Sequence, residues 1–488
     1  MRSIFIHIAK ILILQMRMNR TRSMINRLFS FFNIDEFLKP KILASLVIAI
    51  IIRLFLAPLT EQRWDMYNWR LSQVFVYQYH MNPFSLPLSI PSVFSWSYTP
   101  FWLFILLLVF PIYNALSPLS YPQNPEMLWK RWGETSNMFE AYHSFVPPNL
   151  PLLDLLTKLP VIAADILIAL VLYKMAKSYY SESNANYILL AWLFNPYSIW
   201  ISSVWGMFDH IAILFVLLSL WFFLQKRYDA SAICTFVGVS LKLYPALLIP
   251  VFAFIRYKES KKLKKAIRYF LISAGLSVTV LFLSYFISFI LSGQEPLYSS
   301  VQNILYLIRG RASPDWMGQN IFYGLTPLFV LVVIFSKAGL GSANIPVSPI
   351  LMLIGITILL LKLRSTENIS REVVISYVVV THFIIYMTYT VVNEQYMTWI
   401  LPIMLLLALE KKSTALRYFY WILSGIAILY ICIHYDLSYF ISPHFSPGYL
   451  SIFIPPSDLL LVVAFLSLYV IGIKLVLKPK AKDVATPS

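Results

Sequence analysis

The sequence predicts an all-α polytopic integral membrane protein, for three reasons. Apolar residues make up 59% of the 488 residues and charged ones only 12%, about half the charged share of soluble domains. The apolar residues run in long continuous stretches instead of alternating at period two, which favours spanning helices over a β-barrel. Basic residues collect in the short loops between those stretches, the pattern that marks cytoplasmic loops. This composition excludes an ordinary soluble enzyme and a disordered chain. The net charge of +17 is therefore mainly a topology code, and nucleic acid is not an expected partner. Cys234 and Cys432 both sit inside apolar runs, where they cannot build a zinc cluster and do not suggest a disulfide.

Taken in order, residues 1–41 form a basic cytoplasmic segment, 42–478 one transmembrane domain and 479–488 a cytoplasmic tail. The stretch Ile4 to Leu14 lacks a small-residue cleavage site and precedes Arg17, Arg20, Arg22 and Arg27, so it reads as an interfacial segment. Residues 42–59 run outward, and 60–158 form a first outer loop rich in Pro, Trp and Tyr. Its apolar run Phe101 to Phe110 is short, as in a re-entrant or membrane-hugging helix. Residues 159–173 return to Lys174 and Lys177, 187–203 run out, and 207–224 come back to Lys226 and Arg227. Segment 230–255 has two cytoplasmic ends with Lys242 and Pro245 between them, and reads as two half-length helices.

The loop Arg256, Lys258, Lys261, Lys262, Lys264, Lys265 and Arg268 is strongly cytoplasmic in character. Beyond it, 269–291 run outward, 292–320 form a second outer loop, and one crossing is shared between 321–336 and 349–361. Residues 373–391, 398–409, 418–434 and 457–477 complete the set, with 435–456 as a third outer loop. The total is roughly 11–13 membrane segments, and there is no convincing inverted repeat.

Ionisable residues inside or beside spans are costly, so they point to chemistry or to its support. Asp65, just past the first span, could accept a proton from a bound hydroxyl, or be a solvated acid paired with Arg63 or Arg70. Asp209 opens an apolar run after Trp205-Gly206, as a helix cap or as a site residue. Its neighbour His210 reads as a buried hydrogen-bonding histidine. Lys242, in Lys242-Leu243-Tyr244-Pro245, must snorkel, pair with Asp165 or Asp209, or meet an anionic group. Asp165 reads as a structural counter-ion. Glu394 and Gln395 could cap a helix or line a polar pocket. Arg309 and Arg311 could be loop charges or phosphate contacts.

These residues resemble, in order, the multi-pass GT-C glycosyltransferases that use polyprenyl-phosphate sugars, most closely the branch containing the first GPI mannosyltransferase and its prokaryotic relatives. The matching pieces are Asp65 with Tyr67, Tyr98-Thr99-Pro100, and Lys158-Leu159-Pro160 through Asp165. Next come Asn195-Pro196 through Gly206 and Asp209 with Lys242-Leu243-Tyr244-Pro245, then Asn393-Glu394-Gln395-Tyr396 to Pro402. The family's paired acids near the first span are not reproduced, since Asp65 has only Glu61 nearby.

The resemblance implies a GT-C-like bundle with short re-entrant or juxtamembrane helices in its outer loops. It implies transfer of a hexose, by family likeness mannose, from a polyprenyl-phosphate donor to a lipid- or glycan-linked acceptor, with inversion, on the extracytoplasmic or lumenal face. Asp65 would be the base. Lys242, Tyr244, Asp209, Tyr67, Gln395, Arg309 and Arg311 would bind donor phosphate or substrate, with Asp165 and Glu394 structural. No cofactor is assigned, and a divalent metal is left open. Membrane lipid is an expected partner, and a small partner subunit is left open. The membrane would be the cell membrane in a prokaryote and the endoplasmic reticulum in a eukaryote. The alternatives are a transporter or lipid-linked-sugar flippase, which should show paired halves and a midplane site, then a polysaccharide ligase or polymerase, then a non-catalytic scaffold subunit.

Overall fold

A computed structural model describes residues 34–83, 96, 98–117, 147, 149–280, 347–389, 392–435, 437–442 and 458–477. Arg309 and Arg311, the outer loop 292–320 and the segment 321–336 lie outside the described residues. Two compact units divide at Ile51/Ile52. The first holds helix α1 (Ile34–Phe37) and most of α2 (Pro40–Leu56). The second, which carries every residue discussed below, consists in its described residues of helices and their connecting turns, with one isolated antiparallel bridge between Thr60 and Ile441.

Helix α3 (Arg63–Tyr77) starts where the Gln62 side chain accepts from the Asp65 amide, and α4 (Pro100–Leu116) starts on a proline, whose missing N–H costs nothing in the first turn. Helix α5 (Leu150–Tyr179) runs 30 residues, beginning nine residues before the span expected at 159–173. Asn149 caps it, and Pro160 lies within it. Asp154, Thr157 and Lys158 are thereby drawn onto a buried helix.

Helix α6 (Glu182–Leu193), capped by Ser181, breaks at Asn195. The Asn195 side-chain oxygen Oδ1 accepts from the amides of Tyr197 and Ser198, opening α7 (Pro196–Ile199). α7 widens into a π-helical turn, Trp200–Trp205, that ends at Gly206 in the left-handed region, φ +84°. Then α8 (Asp209–Leu224) packs along α5 and along α9 (Tyr228–Leu241). The chain leaves helical geometry at Lys242, makes a 3-10 turn over Tyr244–Leu247, and resumes as α10 (Leu248–Ser260) and α11 (Leu263–Phe270). The break falls at the Lys242–Pro245 position expected from the sequence.

Beyond the undescribed stretch come α12 (Val347–Ser365), α13 (Arg371–Thr388), a 3-10 turn (Glu394–Trp399) and α14 (Leu401–Glu410). α15 (Thr414–His434), a 3-10 turn (Leu437–Phe440) and α16 (Asp458–Leu477) follow. Helices α5, α12, α13 and α15 are each long and apolar enough to cross a bilayer. The pair α6 with 196–205, bent by 45°, makes a fifth if counted as one span. Shorter apolar helices lie at 100–116, 209–224, 228–241 and 464–477. On α12, Leu353, Ile358 and Leu361 are 69, 60 and 59% exposed, as a lipid-facing stripe requires. The protein is an all-α, multi-pass membrane protein.

Candidate functional site

Segments around residues 65, 98, 205–209 and 242 meet at one buried cluster. α3 brings Asp65, the turn before α4 brings Tyr98, and the end of the π-helical turn brings Trp205. The start of α8 brings Asp209, and the break after α9 brings Lys242. The Tyr98 hydroxyl donates to Asp65 Oδ1 at 2.6 Å, and Trp205 Nε1 donates to Oδ2 at 2.9 Å. Asp209 Oδ1 accepts from Trp399 Nε1 at 2.5 Å, while its Oδ2 pairs with Lys242 Nζ at 3.2 Å. Asp65 and Lys242 are each 6% exposed and Asp209 is fully buried.

Aromatic faces close the cluster. The Lys242 ammonium lies 4.4 Å from the Phe208 ring centroid, 5.3 Å from Tyr98 and 5.5 Å from Tyr396. Trp399 is stacked between Tyr244 at 3.9 Å and Tyr396 at 4.0 Å. Behind them Trp69 meets Tyr98, Trp102 and Phe208 edge-on. α3 is not among the spanning helices, and there burial pushes the Asp65 carboxyl above the ordinary carboxylate range. The bonds from Tyr98 and Trp205 and the Lys242 charge oppose that rise, and the Asp209 charge adds to it.

Of the residues singled out from the sequence, Asp65, Asp209, Lys242 and Tyr244 come together, and Gln395 is buried beside Tyr396 in the adjoining turn. Tyr67 does not share Asp65's side of α3. Two residues on, it lies about 200° round the helix and is buried. Asp165 does not meet Lys242. It pairs with Arg53 at 2.8 Å and accepts from Trp192 Nε1 and Ser198 Oγ, each at 2.8 Å. His210 Nε2 is 3.0 Å from the Ser198 hydroxyl, the hydrogen-bonding environment expected of it. Glu394 is reached by Tyr197 through its carbonyl and by Tyr435 through its carboxylate.

A further knot joins the end of the first span to the site. Lys158 Nζ donates to the carbonyls of Ala57, Ser203 and Val204 at 3.0–3.1 Å, and to that of Thr60. Arg70 pairs with Glu61 at 3.0 Å and lies 3.5 Å from Asp154. The sequence reasoning did not assign roles to Lys158, Arg53 or the donors Tyr98, Trp205 and Trp399. Lys158 and Arg53, each within an apolar run, were the legible signals among them, since Trp and Tyr are common at membrane interfaces for other reasons. Among the described residues no three His, Cys, Asp or Glu side chains gather into a set that could hold a metal ion.

This arrangement holds two acids and an ammonium in fixed register. Each Asp65 oxygen accepts one hydrogen bond within the cluster.

Residues 136–308, about a third of the chain, match the family model described as GPI transamidase subunit PIG-U. No curated protein matches the chain. The match supports the resemblance only at the level of GT-C-like membrane proteins, with nothing specific to the mannosyltransferase branch. It overturns two expectations. Hexosyl transfer from a polyprenyl-phosphate donor, and assignment as a glycosyltransferase at all, give way to a family named as a subunit of a transamidase. The base role expected of Asp65 belonged to that reaction.

Proposed function

We propose that this chain is a multi-pass, non-catalytic subunit of a GPI-transamidase-like complex, and that its buried acid–ammonium cluster fixes the outer-end turns into a surface that receives the phosphate-bearing glycolipid. One observation carries this reading. The family match spans the segment that supplies Trp205, Asp209 and Lys242, to which Asp65, Tyr98 and Trp399 come from outside it, so the region resembling a transamidase subunit contributes the ion pair and one indole donor of the cluster.

The physical argument follows from the partners. Breaking one side of a buried ion pair costs about 3–5 kcal/mol, so Asp209 and Lys242 hold the start of α8 to the break after α9. Trp399 and Trp205 add the 394–399 turn and the 200–205 turn to the same point. An ammonium flanked by aromatic faces also suits a glycolipid, whose sugar faces stack on rings and whose phosphate carries negative charge.

The test is purification of the tagged full-length chain from its native membrane in mild detergent, together with its depletion. The expected result is co-elution with further membrane subunits, and accumulation of unanchored proteins that keep their C-terminal attachment signals. A chain that elutes alone, in cells whose GPI attachment continues unchanged after depletion, would sink the proposal.

A further inference from the structure

At the opposite end of α9 from Lys242, about 20 Å away along the helix, the basic loop builds a pocket of about 410 Å³. Lys226, Arg227, Arg256, Lys265 and Arg268 line it, against the single acid Asp229. Two of these cations are matched by carboxylates. Arg268 pairs with Asp229 at 2.6 Å, and Lys226 pairs with Glu259 outside the pocket lining. Arg256 lies over the Tyr228 ring at 3.7 Å and Arg227 over Phe222 at 4.8 Å. Ring stacking leaves guanidinium edges able to donate in the plane, the geometry that grips phosphate oxygens in pairs. Lys265 is exposed and has no carboxylate partner among the described residues. Three positive charges in one concavity therefore go uncompensated, and an anion there relieves their mutual repulsion.

A second observation says where that anion comes from. On α11 and the turn after it, Leu263, Ile267, Phe270 and Leu271 are 62, 47, 47 and 61% exposed. Their spacing puts them on one face, with Lys264, Lys265 and Arg268 on the other. A short helix with a bare apolar face and a basic one lies in the plane of the bilayer interface. Lys265 and Arg268 are then at head-group depth, on the side that loop charge marks as cytoplasmic.

We propose that this pocket binds the phosphomonoester head group of an anionic phospholipid from the surrounding leaflet. The site is separate from the proposed glycolipid surface and does not depend on it. Full-length protein in phosphatidylcholine nanodiscs would be titrated with a short-chain phosphatidylinositol monophosphate, short-chain phosphatidylcholine and inorganic phosphate, with bound lipid counted by native mass spectrometry. The expected result is selective retention of the phosphoinositide, weakening as salt rises. In the double variant Arg227→Gln/Lys265→Gln its affinity should fall about 30-fold, each surface charge contributing about fivefold. Both positions are exposed and neither holds an ion pair among the described residues, so folding should survive. Lys362→Gln, an exposed charge on another cytoplasmic helix end, should bind as wild type. Unchanged binding in the double variant, or equal loss in Lys362→Gln, would overturn the site. Full displacement by inorganic phosphate at equal concentration would overturn the lipid source in favour of a soluble phosphate.

Discussion

Asp65 takes its two hydrogen bonds from residues 33 and 140 positions away, so its environment exists only in the folded chain. Burial raises its pKa above the unfolded value of about 3.9. The sign of the consequence is fixed by linkage. A carboxyl whose folded pKa is raised contributes stability below about pH 4, and that contribution is lost as pH rises through the folded value. Asp65→Asn cannot ionise, so its stability should fall less than that of wild type over this window. Melting temperatures of the detergent-solubilised proteins across acid to neutral pH would check this, and parallel curves would count against it. Asp65, Asp209 and Lys242 were legible from sequence because ionisable groups in apolar surroundings stand out. Trp205 and Trp399 were not, because an indole at a membrane interface looks the same whether or not its N–H is committed to a carboxylate.

The turn between α7 and α8 depends on one glycine. Gly206 takes φ +84°, and a methyl group there would lie 2.8 Å from Lys158 Cε. Lys158 cannot swing away cheaply, since its ammonium donates to the carbonyls of Ser203 and Val204 just before that turn and of Ala57. Gly206→Ala should therefore destabilise by about 2 kcal/mol or more, the left-handed backbone and the contact adding together. Gly275, by contrast, lies in a helical stretch with open space around its missing side chain. Gly275→Ala should be neutral or stabilising by up to about 1 kcal/mol. Paired thermal unfolding measurements would separate them, and equal shifts would refute the argument. Sequence alone marks the Trp205-Gly206 turn. It does not show that α5 begins at Leu150, because Pro151 and Pro160 read as breakers when one sits in a first turn and the other lies within a continuing helix.

For the protein in its bilayer, loop charge and apolar length predict an orientation. In a Cys432→Ser background, with Cys234 buried, Asn68→Cys should label with an impermeant maleimide from outside the cell or vesicle lumen side. Lys262→Cys should label only after permeabilisation. The reverse order would invert the topology, and with it the leaflet of the basic pocket. The ordered motifs that resemble a sugar transferase carried real information about architecture and misdirected the activity. A carboxylate beside a first span is compatible with catalysis or with holding turns together, and those differ only in what surrounds it.

What the sequence determined by itself was the membrane class, the helical breaks at Gly206 and Lys242, and the few charges that escape the topology code. These rest on local properties: hydropathy over about 20 residues, backbone preferences and the cost of a charge in lipid. The break at Asn195, inside the span expected over 187–203, came only with the structure. The tertiary structure decided which charge met which. Lys242 found Asp209 and not Asp165, and Asp165 found Arg53, 112 residues away. Pairing at that separation is set by how helices pack against one another, and no local pattern along the chain records it.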